Sequence, residues 1–438
     1  MTMNGNEYKN IFTYTEAVEY INRLPKFCEG RLLSDTRRAL ELLGSPEKEL
    51  AVIHVAGTNG KGSTCAYLLN ILEAAGKKTA FFSSPHLTDM RERFRIGKEI
   101  VSETDFCKSF STVYSVLVVQ AGYRPIFFEY LFLMAMLIFK EKKPQYCILE
   151  TGLGGRLDAT NVIEKPVVSV ITGIGFDHME YLGGTLAEIA AEKAGIIKAG
   201  IPVVYWKEKE EVSAVIEEKA RSLSSPCISV SKDGVDLKFF GDKYIDFSYK
   251  SRYYDYVGLR VNTKAVYQTE NAAIAITVAE QLWQEDVTPY VMEGIASMHW
   301  EGRMEEVLPG VFFDGAHNED GIEAFLTSVK HDNCKGSRSL LFSVVQDKEY
   351  PKMADRIMDS GLFSKIYTAP IASERSVSRE ALEEMFSKDG VRVYCFDTPQ
   401  EALLRMFDDR GTADCLYVAG SLYLIGQLKE WLSRSSTI

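Results

Sequence analysis

HVAGTNGKGSTCAYLL, residues 54–69, governs how the rest of the chain is read. The stretch closes a short apolar run, AVIHV (51–55), gathers Gly57, Gly60 and Gly62 around Lys61, and passes into helix-forming residues. Glycine permits backbone conformations that a side chain would block. In the loop Gly57, Thr58, Asn59, Gly60, Lys61, Gly62 successive N–H groups can therefore turn toward phosphate oxygens, and the helix behind adds the positive end of its dipole. Lys61 would reach the β- and γ-phosphates of a nucleotide, and Ser63 or Thr64 would offer a hydroxyl to phosphate or Mg²⁺. The spacing departs from GxxxxGK[ST], because Gly57 lies only three residues before Gly60 and Gly62 separates Lys61 from Ser63. A plain glycine-rich turn is the alternative; the conjunction of strand, glycines, lysine, hydroxyls and helix favours phosphate.

Around this loop, apolar runs alternate with helical periods. AVIHV, KTAFF, YCILE, VVSVIT and PVVYW read as buried strands, with helical stretches at 63–75, 103–121, 127–141 and 185–198. Such alternation predicts an α/β fold with a parallel central sheet and helices on both faces. Residues 236–261 alternate aromatic and polar side chains, as antiparallel ribbons do. A second α/β series (VFFDG, SLLFSVV, KIYTAP, VRVYCF, CLYVAG) follows MHWEGRMEEV, which places a domain boundary near 297: an N-terminal domain at 1–297 and a smaller C-terminal one at 298–438. A chain of 438 residues is long for one core, which agrees with two domains.

Composition is that of a soluble globular protein, 46% apolar and 25% charged, with a net charge of -11 and no basic run to bind nucleic acid. Cys28, Cys65, Cys107, Cys147, Cys227, Cys334, Cys395 and Cys415 show neither CxxC nor zinc spacing, so free thiols are expected. The first residues lack the apolar core of a signal peptide, and IFFEYLFLMAMLIF is too short to span a bilayer. A cytoplasmic protein working without membrane or nucleic acid is expected.

Two further stretches carry chemistry. In QYCILETGLGGRLDATN (145–161) a strand ends on Glu150, where a carboxylate can bind Mg²⁺; a merely solvated strand end is the alternative. In TGIGFDHMEYLGGTLAEIAAEKAGIIKAG (172–200), His178 follows a glycine turn and could ligate a cation. Lys193 falls on the apolar stripe of Leu186, Ile189, Ala190, Ile196 and Ile197. An inward lysine needs an anionic partner, a depressed pKa or a modification, unless it snorkels to the surface. Carbamylation by CO₂ would turn it into an anion able to bind metal.

HVAGTNGKGST, SSPHL (83–87), LETGLGGRLDATN, the DH of 177–178, AAEKAGIIK (190–198), EGRMEEV (301–307), FDGAHN (313–318) and GSLYL (420–424) together resemble the folylpolyglutamate synthases and dihydrofolate synthases of the Mur ligase superfamily. The resemblance spans essentially the whole chain. It implies a P-loop-type ATPase domain, a smaller Rossmann-like α/β domain, and an active site in the cleft between them. It implies that Ser84, Glu150 and His178 coordinate two Mg²⁺ ions and that Lys193 is carbamylated. Asn271, Arg303 and Asp314 would contact ATP, and His317 would act beside Lys61, His178 and Lys193 in catalysis. Ile126, Phe127, Phe128 and Glu129 match a pterin-lining segment, with core packing the equal alternative for the two phenylalanines; Arg156 and Asp158 join the substrate-binding set.

The implied reaction is ATP-dependent addition of L-glutamate to a folate or dihydropteroate carboxylate through an acyl phosphate, by an enzyme expected to be a monomer. The GGRLDATN and IFFE stretches lean toward the dual-function bacterial type. The alternatives are another amide ligase of the superfamily, or a nucleotide-dependent binding switch that lacks ligase activity.

Overall fold

The computed structural model describes residues 12–26, 30, 32–283, 286–373, 375–386 and 391–434. Cys28 lies outside the described residues; Cys65, Cys107, Cys147, Cys227, Cys334, Cys395 and Cys415 are free thiols. Among the described residues no helix is long and apolar enough to cross a membrane.

The first sheet holds eight strands: β1 (Val52–Ala56), β2 (Thr79–Phe82), β3 (Phe94–Ile96), β4 (Glu99–Ile100), β5 (Tyr146–Glu150), β6 (Val168–Ile171), β7 (Val203–Lys207) and β8 (Cys227–Ser231). Their order is β4-β3-β2-β5-β1-β6-β7-β8. The six strands from β2 to β8 in that order run parallel, and β3 and β4 add an antiparallel edge. β1 and β6 are buried at every residue, which is why they read as unbroken apolar runs rather than as alternation. Helices Lys61–Ala74 and Tyr267–Leu282 pack on one face, and helix Phe127–Lys142 anchors the core on the other.

A three-stranded antiparallel meander follows: β9 (Val235–Phe240), β10 (Ile245–Lys250) and β11 (Asp255–Val261). The aromatic–polar alternation of 236–261 matches it, since Ile245, Phe247 and Tyr249 of β10 face the core while their neighbours are half-buried or exposed.

The last sheet comprises β12 (Glu305–Leu308), β13 (Val311–Phe313), β14 (Arg338–Phe342), β15 (Lys365–Thr368), β16 (Arg392–Cys395) and β17 (Cys415–Ala419), in the order β12-β13-β17-β14-β15-β16. It is parallel except for β12. The strand runs read from the sequence all appear. Missing from that reading are β3, β4 and β12, which are short and half-exposed and carry little apolar signal, and β8. The predicted helix over 103–121 is α-helical at Glu103–Val113 and widens into a π-helical stretch at Tyr114–Gln120.

Candidate active site

Register sets the site. β1 lies between β5 and β6, with Val55 opposite Glu150 and Ala56 opposite Ile171. The loop leaving β1 is thereby flanked by Glu150 on one side and by the Thr172–His178 segment on the other, at the carboxyl ends of parallel strands where α/β sheets place ligands. A cavity of about 670 Å³ opens there.

Gly57 and Gly60 are required by close approach. A Cβ at Gly57 would collide with Thr172 Oγ1, and one at Gly60, held at φ +88°, with Asn271 Oδ1. The Thr58 and Asn59 N–H groups donate to the Gly173 carbonyl at 2.9 and 3.2 Å. Contrary to the sequence expectation, these two do not turn toward the cavity. The donors left for a phosphate are the Lys61, Gly62 and Ser63 N–H groups that open helix Lys61–Ala74, since the Thr64 N–H already donates to Gly60 O at 2.8 Å. Ser63 lines the cavity and accepts from Gln268 Nε2 at 3.2 Å. Thr64 is fully buried, does not line the cavity, and has no partner for Oγ1.

Two lysines meet at one carbonyl. Lys61 Nζ donates to Gly57 O at 2.9 Å and Thr58 O at 3.2 Å, and Lys193 Nζ donates to Gly57 O at 2.9 Å. Lys193 is 3% exposed, so it does not snorkel. Burial first, and the neighbouring Lys61 charge second, hold its pKa down to about 7. Glu150 is equally buried, and one of its oxygens accepts from the Ser84 N–H at 3.1 Å. Burial raises its pKa, while Lys61, Arg303 and Arg93 pull the other way. His178 sits in the left-handed backbone region at φ 51°, and burial lowers its imidazole to about 4, so the ring is neutral near pH 7.

The last sheet supplies the opposite wall. Asp314 follows β13 and is buried; it accepts from Tyr267 OH at 2.5 Å and from the Met304 and Ala316 N–H groups at 2.9 and 2.8 Å. Arg303 and His317 line the cavity beside it, and Asn271 faces them from helix Tyr267–Leu282. Polar ties join the walls. Lys348 Nζ reaches Asp177 at 2.5 Å, Asn59 and Asn318 exchange two 3.0 Å hydrogen bonds, and Lys209 pairs with Asp320 at 3.3 Å. Against burial, a hydrogen bond with His317 first, and the Lys348 charge second, hold the Asp177 carboxyl far below the usual carboxylate range. These ties were invisible to sequence patterning, because each partner comes from a different sheet.

The proposed pterin and substrate residues stand apart. Ile126, Phe127, Phe128 and Glu129 do not line this cavity. Ile126 caps helix Phe127–Lys142, and the Arg93 guanidinium lies 5.4 Å over the Phe127 ring. Phe128 presses against Gly152, where a Cβ would come within 2.7 Å of its ring. Glu129 is buried and accepts from Thr36 Oγ1 at 2.7 Å and Tyr123 OH at 2.6 Å, which accounts for a carboxylate inside an apolar helix.

Arg156 also lies outside the lining and pairs with Glu192 at 2.8 Å. Asp158 turns inward to accept from the Gly152 and Leu153 N–H groups at 2.9 and 3.0 Å and from Thr160 Oγ1 at 2.5 Å. It braces the loop that lines the cavity behind Glu150. Asp158→Ala should therefore cost on the order of 2–4 kcal/mol of stability in urea unfolding, because buried donors lose their acceptor. A raised substrate KM with an unchanged unfolding midpoint would instead make Asp158 a direct substrate contact.

In this chain, where a glycine loop on a parallel sheet faces a second α/β sheet across the cavity, residues 55–279 match the Mur ligase middle domain. The chain is 33% identical to the dihydrofolate synthase/folylpolyglutamate synthase of Bacillus subtilis (strain 168), over 96% of this chain and 99% of that protein. It is 32% identical to the folylpolyglutamate synthase of Lacticaseibacillus casei, over 96% and 98%. The structure of E. coli FolC in complex with DHPP and ADP superposes with a TM-score of 0.87 at 28% identity, over 97% of this chain and 99% of that one. The chain belongs to the folylpolyglutamate synthase/dihydrofolate synthase family of ATP-dependent ligases.

Proposed function

We propose that the protein joins L-glutamate to the carboxylate of a folate, and also of dihydropteroate, at the expense of ATP. The observation that carries this reading is the convergence on one cavity of the phosphate loop, Glu150 and Lys193 from the first sheet with Arg303, Asp314, His317 and Lys348 around the last. A carboxylate is a poor electrophile because its leaving group would be oxide. Transfer of the γ-phosphoryl group to it creates an acyl phosphate with a good leaving group, and the glutamate amine then displaces phosphate to form the amide.

In this reading Lys61 leaves its loop carbonyls to neutralise the transferring phosphoryl group, and the first turn of its helix holds the remaining phosphates. Arg303, Asn271 and Asp314 position the nucleotide from the opposite wall. His317 and Lys348, beside Asp177, face the place where glutamate must enter. The walls closing together exclude water, which would hydrolyse the acyl phosphate.

Ser84, Glu150 and His178 fit Mg²⁺ as a set of two hard oxygens and one neutral imidazole. Among the described residues no three His, Cys, Asp or Glu side chains form a metal cage, which suits an ion that keeps water and phosphate ligands. Two bound Mg²⁺ ions would supply positive charge between phosphate and carboxylate. Lys193 would carry a carbamate; its burial against Gly57 O and its lowered pKa support a neutral amine able to react with CO₂. The protein would act as a cytoplasmic monomer.

Phosphate release from ATP, measured with and without glutamate and with dihydropteroate or a folate as acceptor, tests the function. Release that ignores both acceptors and glutamate would favour a nucleotide switch. The two domains are placed at 1–297 and 298–438, a division supported by the first two sheets ending at Val261 and the third beginning at Glu305. A chain ending at 297 should bind ATP weakly and form no amide; full ligase activity from it would overturn the cleft model.

A further inference from the structure

The cavity continues past the phosphate loop on the side away from Glu150. β5 and β7 lie on opposite sides of β1, so Glu150, at the end of β5, and Trp206, on β7, belong to opposite ends of the site. At the Trp206 end the apolar side chains of Trp206, Val266, Ile274 and Ala324 line the cavity together with the charged Glu208, Lys209, Lys232 and Glu323. Val266, Glu270 and Ile274 follow one another at four-residue spacing, on one face at the start of helix Tyr267–Leu282. Glu270 thus stands between two apolar neighbours, next to Asn271, with its carboxylate in the cavity wall. Among the described residues it makes no hydrogen bond or ion pair. Burial pushes its carboxyl up to about 7, with longer-range attraction from Lys232 opposing and the Glu208 charge adding to the rise. A half-buried acceptor without a hydrogen-bond donor, flanked by apolar side chains beside a phosphate site, calls for a donor on the ligand.

We propose that Glu270 selects the nucleotide by accepting a hydrogen bond from the exocyclic amine of adenine, with the ring held against Trp206, Val266 and Ile274. The proposal rests on reading the cavity as the ATP site. Outside the triphosphate, ATP carries donors only on that amine and on the ribose hydroxyls, and the apolar walls beside Glu270 suit the flat base rather than the sugar.

The test compares ATP with purine riboside triphosphate, which lacks only the amine, in wild type and in Glu270→Met, with 2′-deoxy-ATP as a third nucleotide. Wild type should prefer ATP over the analogue by about tenfold or more in kcat/KM, and the preference should collapse toward unity in Glu270→Met, with the loss falling on KM for ATP. A preference that survives the substitution overturns the proposal. So does a substitution that erases the 2′-deoxy penalty instead, which would give Glu270 to the ribose. If Glu270→Met does not fold, wild type decides alone: equal use, or equal thermal stabilisation, by ATP and the analogue overturns it. Amide formation with ATP in the same assays keeps the ligase reading separate, since it would stand even where nucleotide preference does not move.

Discussion

Lys61→Ala should lower amide formation by on the order of a hundredfold or more, with the fold intact. The expectation follows from where the ammonium sits. Its two acceptors are the Gly57 and Thr58 carbonyls of its own loop, so in the absence of nucleotide its loss removes two local hydrogen bonds and no core packing. The stability cost should be about 1 kcal/mol. In the proposed transition state the same group would face charge spread over the transferring phosphoryl oxygens, and no other lysine of the loop replaces it. Steady-state turnover beside a thermal melt separates the two effects. Near wild-type turnover would reduce the loop to a plain strand-to-helix turn.

Lys193→Ala should be nearly inactive and partly rescued by formate or acetate. As an ammonium, Lys193 is buried, shares the Gly57 carbonyl with Lys61, and would repel a cation held near Glu150. Burial and the Lys61 charge favour its neutral amine, the form that reacts with CO₂. The product carbamate is an anion with two hard oxygens. Lys193→Arg should fail, because guanidinium keeps its charge and is not carbamylated in the same way. ¹³C NMR with labelled bicarbonate reads the modification independently of turnover: a carbamate resonance in wild type that is absent from Lys193→Ala. A fully active, metal-loaded enzyme without that resonance would leave Lys193 as a direct phosphate contact.

What could be read in the chain alone follows from range. The phosphate loop, Glu150 at its strand end and Lys193 on an apolar stripe are local patterns, each complete within one strand–turn–helix unit, and β-strand register then brings them together. Glu129 illustrates the opposite case. Its partners Thr36 and Tyr123 come from other segments, so a pattern showed an acid in an apolar helix without showing what satisfied it. Asp158 and Arg156 share a motif with cavity residues yet turn to backbone donors and to Glu192, a choice made by loop conformation rather than by residue type. Glu270 gives no signal of its own, because a glutamate in a helix is ordinarily solvated; only the lining around it makes the position unusual.

The seam across the cavity carries three polar pairs, Asn59 with Asn318, Lys348 with Asp177 and Lys209 with Asp320, of which Lys348 with Asp177 is buried. Polar pairs of this kind, once hydrated, leave little apolar surface behind when the walls part. If ATP binds against both walls as proposed, its triphosphate would be the mortar of the shut state. Once its γ-phosphoryl group has moved to the acceptor and left as phosphate, the mortar is thinner and the walls can part. The nucleotide's own chemistry would thereby act as the clock for release, and turnover should slow with rising viscosity if that parting is the slowest step.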